Sequence, residues 1–85
     1  MSQATEVYSR EFDQAYLSLP VSLRLRIEGK IRDLGGRLHD YPHIRLQGRE
    51  EFKLRVGDYR IIYDFDPVLN ELYLLAMGHR REVYR

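Results

Sequence analysis

The apolar positions of this chain change period once, and that change divides it. From Arg10 to Leu19 the apolar residues Phe12, Ala15, Tyr16 and Leu19 fall at i, i+3, i+4 and i+7. This is the stripe of an amphipathic helix. Pro20 interrupts the pattern, and because proline is accepted in a first helical turn, a second helix is expected to follow it. Leu23, Ile27, Ile31, Leu34 and Leu38 would form its buried face, with Gly35-Gly36 as its stop. The segment before the helices, "TEVYS", is a short strand candidate, and "RLHDYPHIRLQGRE" (37–50), broken by Pro42 and Gly48, reads as a connecting loop.

From Phe52 the period is two. Phe52, Leu54 and Val56 alternate with Lys53 and Arg55, and Gly57-Asp58 supplies a two-residue turn. Tyr59, Ile61, Tyr63 and Phe65 then alternate with Arg60, Ile62 and Asp64. "DPVLN" is a second turn, and "ELYLLAM" is apolar enough for a central strand buried on both faces. The predicted order is β-α-α-β-β-β. It defines an α+β domain, residues 1–85, with two N-terminal helices on one face of a small, mainly antiparallel four-stranded sheet.

A two-residue turn at Gly57-Asp58 pairs Val56 with Tyr59, Arg55 with Arg60, Leu54 with Ile61, Lys53 with Ile62 and Phe52 with Tyr63. The apolar partners share one face. The other face carries Glu51, Lys53, Arg55, Arg60 and Asp64, with two guanidinium groups directly opposite each other. Like charges so placed destabilise by a few tenths to about 1 kcal/mol. Either Lys53 reaches diagonally to Asp64 while the arginines splay into solvent, or the arginines form an anion site. Two planar guanidinium forks hold the oxygens of one phosphate in a way that lysine does not. The C-terminal "GHRREVYR" adds His79, Arg80, Arg81 and Tyr84. If the last strand pairs with the Arg60 strand, Arg80 or Arg81 approaches Arg60 from the side. Cations, an imidazole and a ring together suit single-stranded RNA.

Composition narrows the picture. Eighty-five residues make one domain, which buries only about 60% of its unfolded surface and so gains from a bound partner. There is no cysteine, hence no disulfide or thiolate metal site, and a cytoplasmic setting is expected. No apolar leader or membrane span is evident, the longest apolar run being the six residues Leu72 to Met77. His39 and His43 have a zinc-like spacing, but Pro42 places them in a loop with no third ligand, so no metal or cofactor is expected. The charges Arg24, Arg26, Lys30 and Arg32 read as a solvated helix face or the frame of a partner groove. The net charge of +1 does not by itself point to nucleic acid, so local placement of cations must carry that case.

"YSREF", the "LP" at the helix junction, "RVGDYRIIY" and "GHRREVY" together resemble the RelE/ParE superfamily of bacterial toxins, over nearly the whole chain. In its RelE branch, the resemblance implies a toxin neutralised by a RelB-like antitoxin, which cuts messenger RNA in the ribosomal A site without a metal. DNA would be contacted only through the antitoxin. Arg60 matches the phosphate-holding arginine, Arg80 the arginine near the C-terminus and Tyr84 the tyrosine that closes that segment. Lys53 and Arg55 fall where the best-known ribonucleases carry two lysines. Arginine stays protonated and is a poor base, so the base for the ribose 2′-hydroxyl is Lys53, Glu51 or His79. Arg81 joins Lys53, Arg55, Arg60 and Arg80 as an RNA contact. The alternatives within the superfamily are a ParE-like poison of DNA gyrase without nuclease chemistry, and an inactive member that acts only in a repressor complex.

Overall fold

The computed structural model describes residues 2–79. Its elements are β1 (Thr5–Tyr8), α1 (Arg10–Leu17), α2 (Val21–Gly36), β2 (Ile44–Arg45), β3 (Phe52–Val56), β4 (Tyr59–Asp66) and β5 (Glu71–His79). The five strands form one sheet in the order β1-β5-β4-β3-β2, in which only the β1–β5 pairing is parallel. Both helices contribute to the core on one face, as the apolar periodicity predicts. The fifth strand is the difference: β2 arises inside the segment read as a loop, because Ile44 and Arg45 pair with Lys53 and Phe52. Two residues between Pro42 and Gly48 are too few to show a period.

Helix α1 begins at Ser9, whose hydroxyl accepts the Phe12 N–H at 3.0 Å. It ends at Leu17, earlier than the apolar stripe suggests, because Ser18 turns back and its hydroxyl donates to the Ala15 carbonyl at 2.7 Å. Leu19 still packs against the core from beyond the helix. Helix α2 runs through Gly35 and Gly36 to its end at Arg37. Here the glycines permit a crossing: a Cβ on Gly35 would lie 2.6 Å from Gln3 Nε2, and the Ala4 N–H donates to the Gly35 carbonyl at 3.0 Å. The start of β1 is thereby laid against the end of α2.

Phe12, Ile27, Ile31 and Leu34 from the helices bury against Leu54, Val56, Ile61, Tyr63, Leu72, Leu74 and Met77 of the sheet. β5 is an interior strand, as expected, but it is not buried evenly on both faces. Leu72, Leu74 and Met77 are core, while Tyr73, Leu75 and Ala76 on the helix-free side are half-buried. Its register explains the long apolar run. Ile62 pairs with Ala76 but Tyr63 pairs with Leu74, so Leu75 is an extra residue. Its carbonyl accepts the Ser9 hydroxyl at 2.6 Å. The bulge puts Leu74 and Met77, three apart, on the same face and erases the alternation.

His43 packs, half-buried, on the rings of Phe52 and Phe65 at the margin of this core. Its ring stacks on Phe65 with centroids 4.0 Å apart, its Nε2–H donates to the Leu38 carbonyl at 2.8 Å, and its Nδ1 accepts the Tyr63 hydroxyl at 2.7 Å. The tautomer follows from the carbonyl, which only accepts. Burial pushes the Tyr63 phenol above the ordinary tyrosine value of 10.0. As pH rises through that value the unfolded chain loses this proton first, so the contribution to stability is complete below about pH 10 and declines above it. The urea midpoint is expected to fall between pH 9 and 11, and Tyr63→Phe is expected to reduce that fall.

Candidate nucleic-acid interface

The hairpin forms in the predicted register: Arg55 opposite Arg60 and Lys53 opposite Ile62. Gly57 has φ +60° and no other turn residue is left-handed, the pattern of a type II′ turn with glycine in its first central position. Two-residue closure and strict alternation place Lys53, Arg55 and Arg60 together on the face away from the helices. On its other side Arg60 pairs with Gly78 and Ile62 with Ala76, so the surface beside Arg60 is built of small residues.

The Arg55 guanidinium does not simply splay into solvent. The Arg55 Nε–H donates to the Gly57 carbonyl at 3.1 Å, which holds its fork at the turn. Arg26 reaches the same residue from α2, with guanidinium nitrogens 3.6 and 3.7 Å from where a Cβ on Gly57 would stand. Arg26, which the sequence assigns to a solvated helix face or the frame of a partner groove, thus extends the cationic patch around the hairpin tip. Its sequence signal is weak, since only the packing of α2 on the sheet brings it there. Lys53 is half-buried and, with Leu46, Gln47 and Arg49, lines a hollow of about 400 Å³. It does not reach Asp64, whose carboxylate accepts the Phe65 N–H at 2.8 Å. Among the described residues the ion pair with a carboxylate is Arg37 with Asp33, at 3.0 Å.

The other end of the open face is acidic. Asp64 pairs with Tyr73 and Asp66 with Glu71 across β4 and β5. The Tyr73 hydroxyl donates to Glu71 at 2.6 Å, and that hydrogen bond is the main reason its phenol is pushed up to about 12. The nearly neutral chain therefore carries a dipolar sheet face. Its cations gather at the hairpin, which makes the potential there positive.

The predicted site residues do not all come together. His79 pairs with Tyr59 and meets its ring edge-on at 5.8 Å. It lines a cleft with Leu19 and Met77 on the helix side, away from Lys53, Arg55 and Arg60. Glu51 precedes β3, half-buried, with its carbonyl accepting the Leu46 N–H at 2.9 Å. β5 does pair with β4, as an approach of Arg80 or Arg81 to Arg60 requires. Arg80, Arg81 and Tyr84 themselves lie outside the described residues. No helix is long and apolar enough to cross a membrane, and no group of metal-ligating side chains occurs among the described residues.

Two helices packed on a mixed five-stranded sheet match the fold of RelE toxins. The fold is similar to RelE of the isolated Escherichia coli toxin (TM-score 0.76, 16% identity, 95% of this chain and 90% of that one). It is similar to a chain of the archaeal RelE–RelB complex from Pyrococcus horikoshii (TM-score 0.76, 21% identity, 95% and 99%). A chain of the RelBE2 toxin–antitoxin complex from Mycobacterium tuberculosis also matches (TM-score 0.74, 22% identity, 96% and 97%). At such identities these likenesses concern the fold. No curated protein sequence matches the chain. Residues 7–84 match the family model of the ParE toxin of type II toxin–antitoxin systems, parDE, and the chain belongs to that family, within the RelE/ParE superfamily. It is a toxin of a type II toxin–antitoxin system.

Proposed function

We propose that this toxin is a metal-independent endoribonuclease that cleaves messenger RNA in the ribosomal A site and is neutralised by a RelB-like antitoxin. One observation carries the proposal: Arg55 and Arg60 are cross-strand partners on the open face, with Lys53 on the same face of β3. Two guanidinium forks there can hold the non-bridging oxygens of a scissile phosphate. The base removes the proton of the 2′-hydroxyl, the 2′-oxygen bonds to phosphorus, and the bond to the 5′-oxygen breaks as that oxygen takes a proton. The products are a 2′,3′-cyclic phosphate and a 5′-hydroxyl. Lys53 is the base candidate that the strand register places on the arginine face, and Glu51 is next to β3. Arg80, Arg81 and Tyr84 complete the proposed site from the C-terminal segment. The antitoxin partner is supported by the RelE toxins of similar fold, which were crystallised with RelB.

The ParE family match favours a second reading, a gyrase poison that binds without cutting RNA. Purified toxin separates the two when added to programmed ribosomes and, in parallel, to gyrase with relaxed plasmid. Messages cut within codons with supercoiling unaffected support the nuclease. Intact messages with blocked supercoiling overturn it.

A further inference from the structure

The hollow of about 400 Å³ beside Lys53 lies toward the β2 edge of the sheet, beyond the span of Arg55 and Arg60. Ile44 pairs with Lys53 and shares its face, and two residues on, Leu46 lines the hollow with only 4% of its surface exposed. One wall is therefore apolar. The turn after β2 supplies the others: the Arg49 N–H donates to the Leu46 carbonyl at 3.1 Å, the Leu46 N–H donates to the Glu51 carbonyl at 2.9 Å, and Gly48 has φ +75°. This is the pattern of a type II turn with glycine in its second central position, which sets Gln47 at the corner. Among the described residues, the Gln47 amide, the Arg49 guanidinium and the Lys53 ammonium have no hydrogen-bond or ion-pair partner. All three line the hollow.

An apolar surface rimmed by an amide and a guanidinium suits a nucleobase. In a single strand the base edges are open to hydrogen bonding and the base faces to stacking on guanidinium planes. The volume falls within the range of small-ligand sites, about 300–1,000 Å³. The Gln47 amide, which both accepts and donates, matches N6 and N7 of adenine, and the Arg49 fork matches O6 and N7 of guanine. Pyrimidines carry no N7. Glu50 and Glu51 stand in the same turn but do not line the hollow, so no described carboxylate opposes a nucleotide inside it. Alternate residues on one strand face lie about 7 Å apart, which puts Lys53 between the hollow and the arginine pair. A nucleotide with its ribose at Lys53 thus directs its 3′ phosphate toward Arg55 and Arg60 and its base into the hollow.

We infer that the hollow is the subsite for a purine base on the 5′ side of the scissile phosphate, read by Gln47 when it is adenine and by Arg49 when it is guanine. This rests on the ribonuclease reading and adds its sequence preference. The test uses purified toxin on programmed ribosomes whose A-site codons differ only in the nucleotide 5′ to the cut, with kcat/KM measured for each of the four bases. Wild type is expected to cleave after either purine about tenfold faster than after a pyrimidine, the usual worth of one bidentate base contact. Gln47→Ala is expected to abolish the adenine-to-pyrimidine ratio and keep that for guanine, and Arg49→Ala the reverse. Gln47→Glu, which sets a carboxylate against N7, is expected to lower both purine ratios. Both positions are exposed, so circular dichroism should show native folding, and Lys30→Ala, an exposed cation on α2, should leave every ratio unchanged. Variants that fold and cleave with wild-type ratios overturn the subsite while leaving the nuclease intact. So does a uniform loss on all four bases, which marks contact with phosphate alone, or a preference confined to the nucleotide 3′ to the cut. A wild type that leaves every codon intact overturns the nuclease reading itself, and the subsite with it.

Discussion

Arg60→Ala is expected to lower RNA cleavage about 10²- to 10³-fold while changing substrate affinity far less. Charge on the phosphoryl oxygens is greatest in the pentacovalent transition state, so a guanidinium there stabilises that state more than the bound substrate. Arg60 faces Arg55 across the hairpin and Gly78 across β5, and it is half-buried rather than extended into solvent. Truncation removes a like-charge contact but also the packing of its aliphatic stem, two effects of opposite sign. The folded state is therefore expected to change by no more than about 1 kcal/mol. Single-turnover cleavage on programmed ribosomes, with a melting curve of the same variant, separates the two effects. A variant that folds and cleaves at the wild-type rate would remove Arg60 from the site.

His43→Ala is expected to be strongly destabilising, at about 2–4 kcal/mol. It removes a ring stacked on Phe65 and leaves the hydroxyl of Tyr63, a residue with no exposed surface, without its acceptor. For a domain of this size each 1 kcal/mol moves the melting temperature by about 4–8 °C, so a fall of at least 8 °C is expected. His43→Phe, which preserves stacking, should recover part of the loss. His39→Ala, at an exposed position, should leave the melting temperature unchanged. Equal effects at the two histidines would contradict the roles assigned to them.

The contrast between these residues shows what the sequence could convey. The hairpin register was legible because a two-residue turn and strict alternation leave one way to pair the strands, and the opposition of Arg55 to Arg60 followed from it. The helices were legible from the period of Phe12, Ile27, Ile31 and Leu34. The bulge at Leu75 was not, because it depends on the Ser9 hydroxyl bonding across the sheet. β2 was too short for a pattern. The placements of His43 and Arg26 leave no local pattern, since what they touch is distant in sequence: Tyr63 and Phe65 for one, Gly57 for the other. His79 adjoins the cations in sequence, yet its pairing with Tyr59 turns it to the helix side. Side-chain direction at a strand end depends on the register, and the bulge between Ile62 and Tyr63 shifts that register by one residue.

The central claim is that the cationic face around Lys53, Arg55 and Arg60 cuts messenger RNA. Mapping transcript 5′ ends in cells, after induction of the wild type and of Arg60→Ala, tests it most directly. New 5′-hydroxyl ends within codons of translated messages, present for the wild type and largely absent for Arg60→Ala at equal protein levels, are predicted. Growth arrest by the wild type with intact messages would contradict the account.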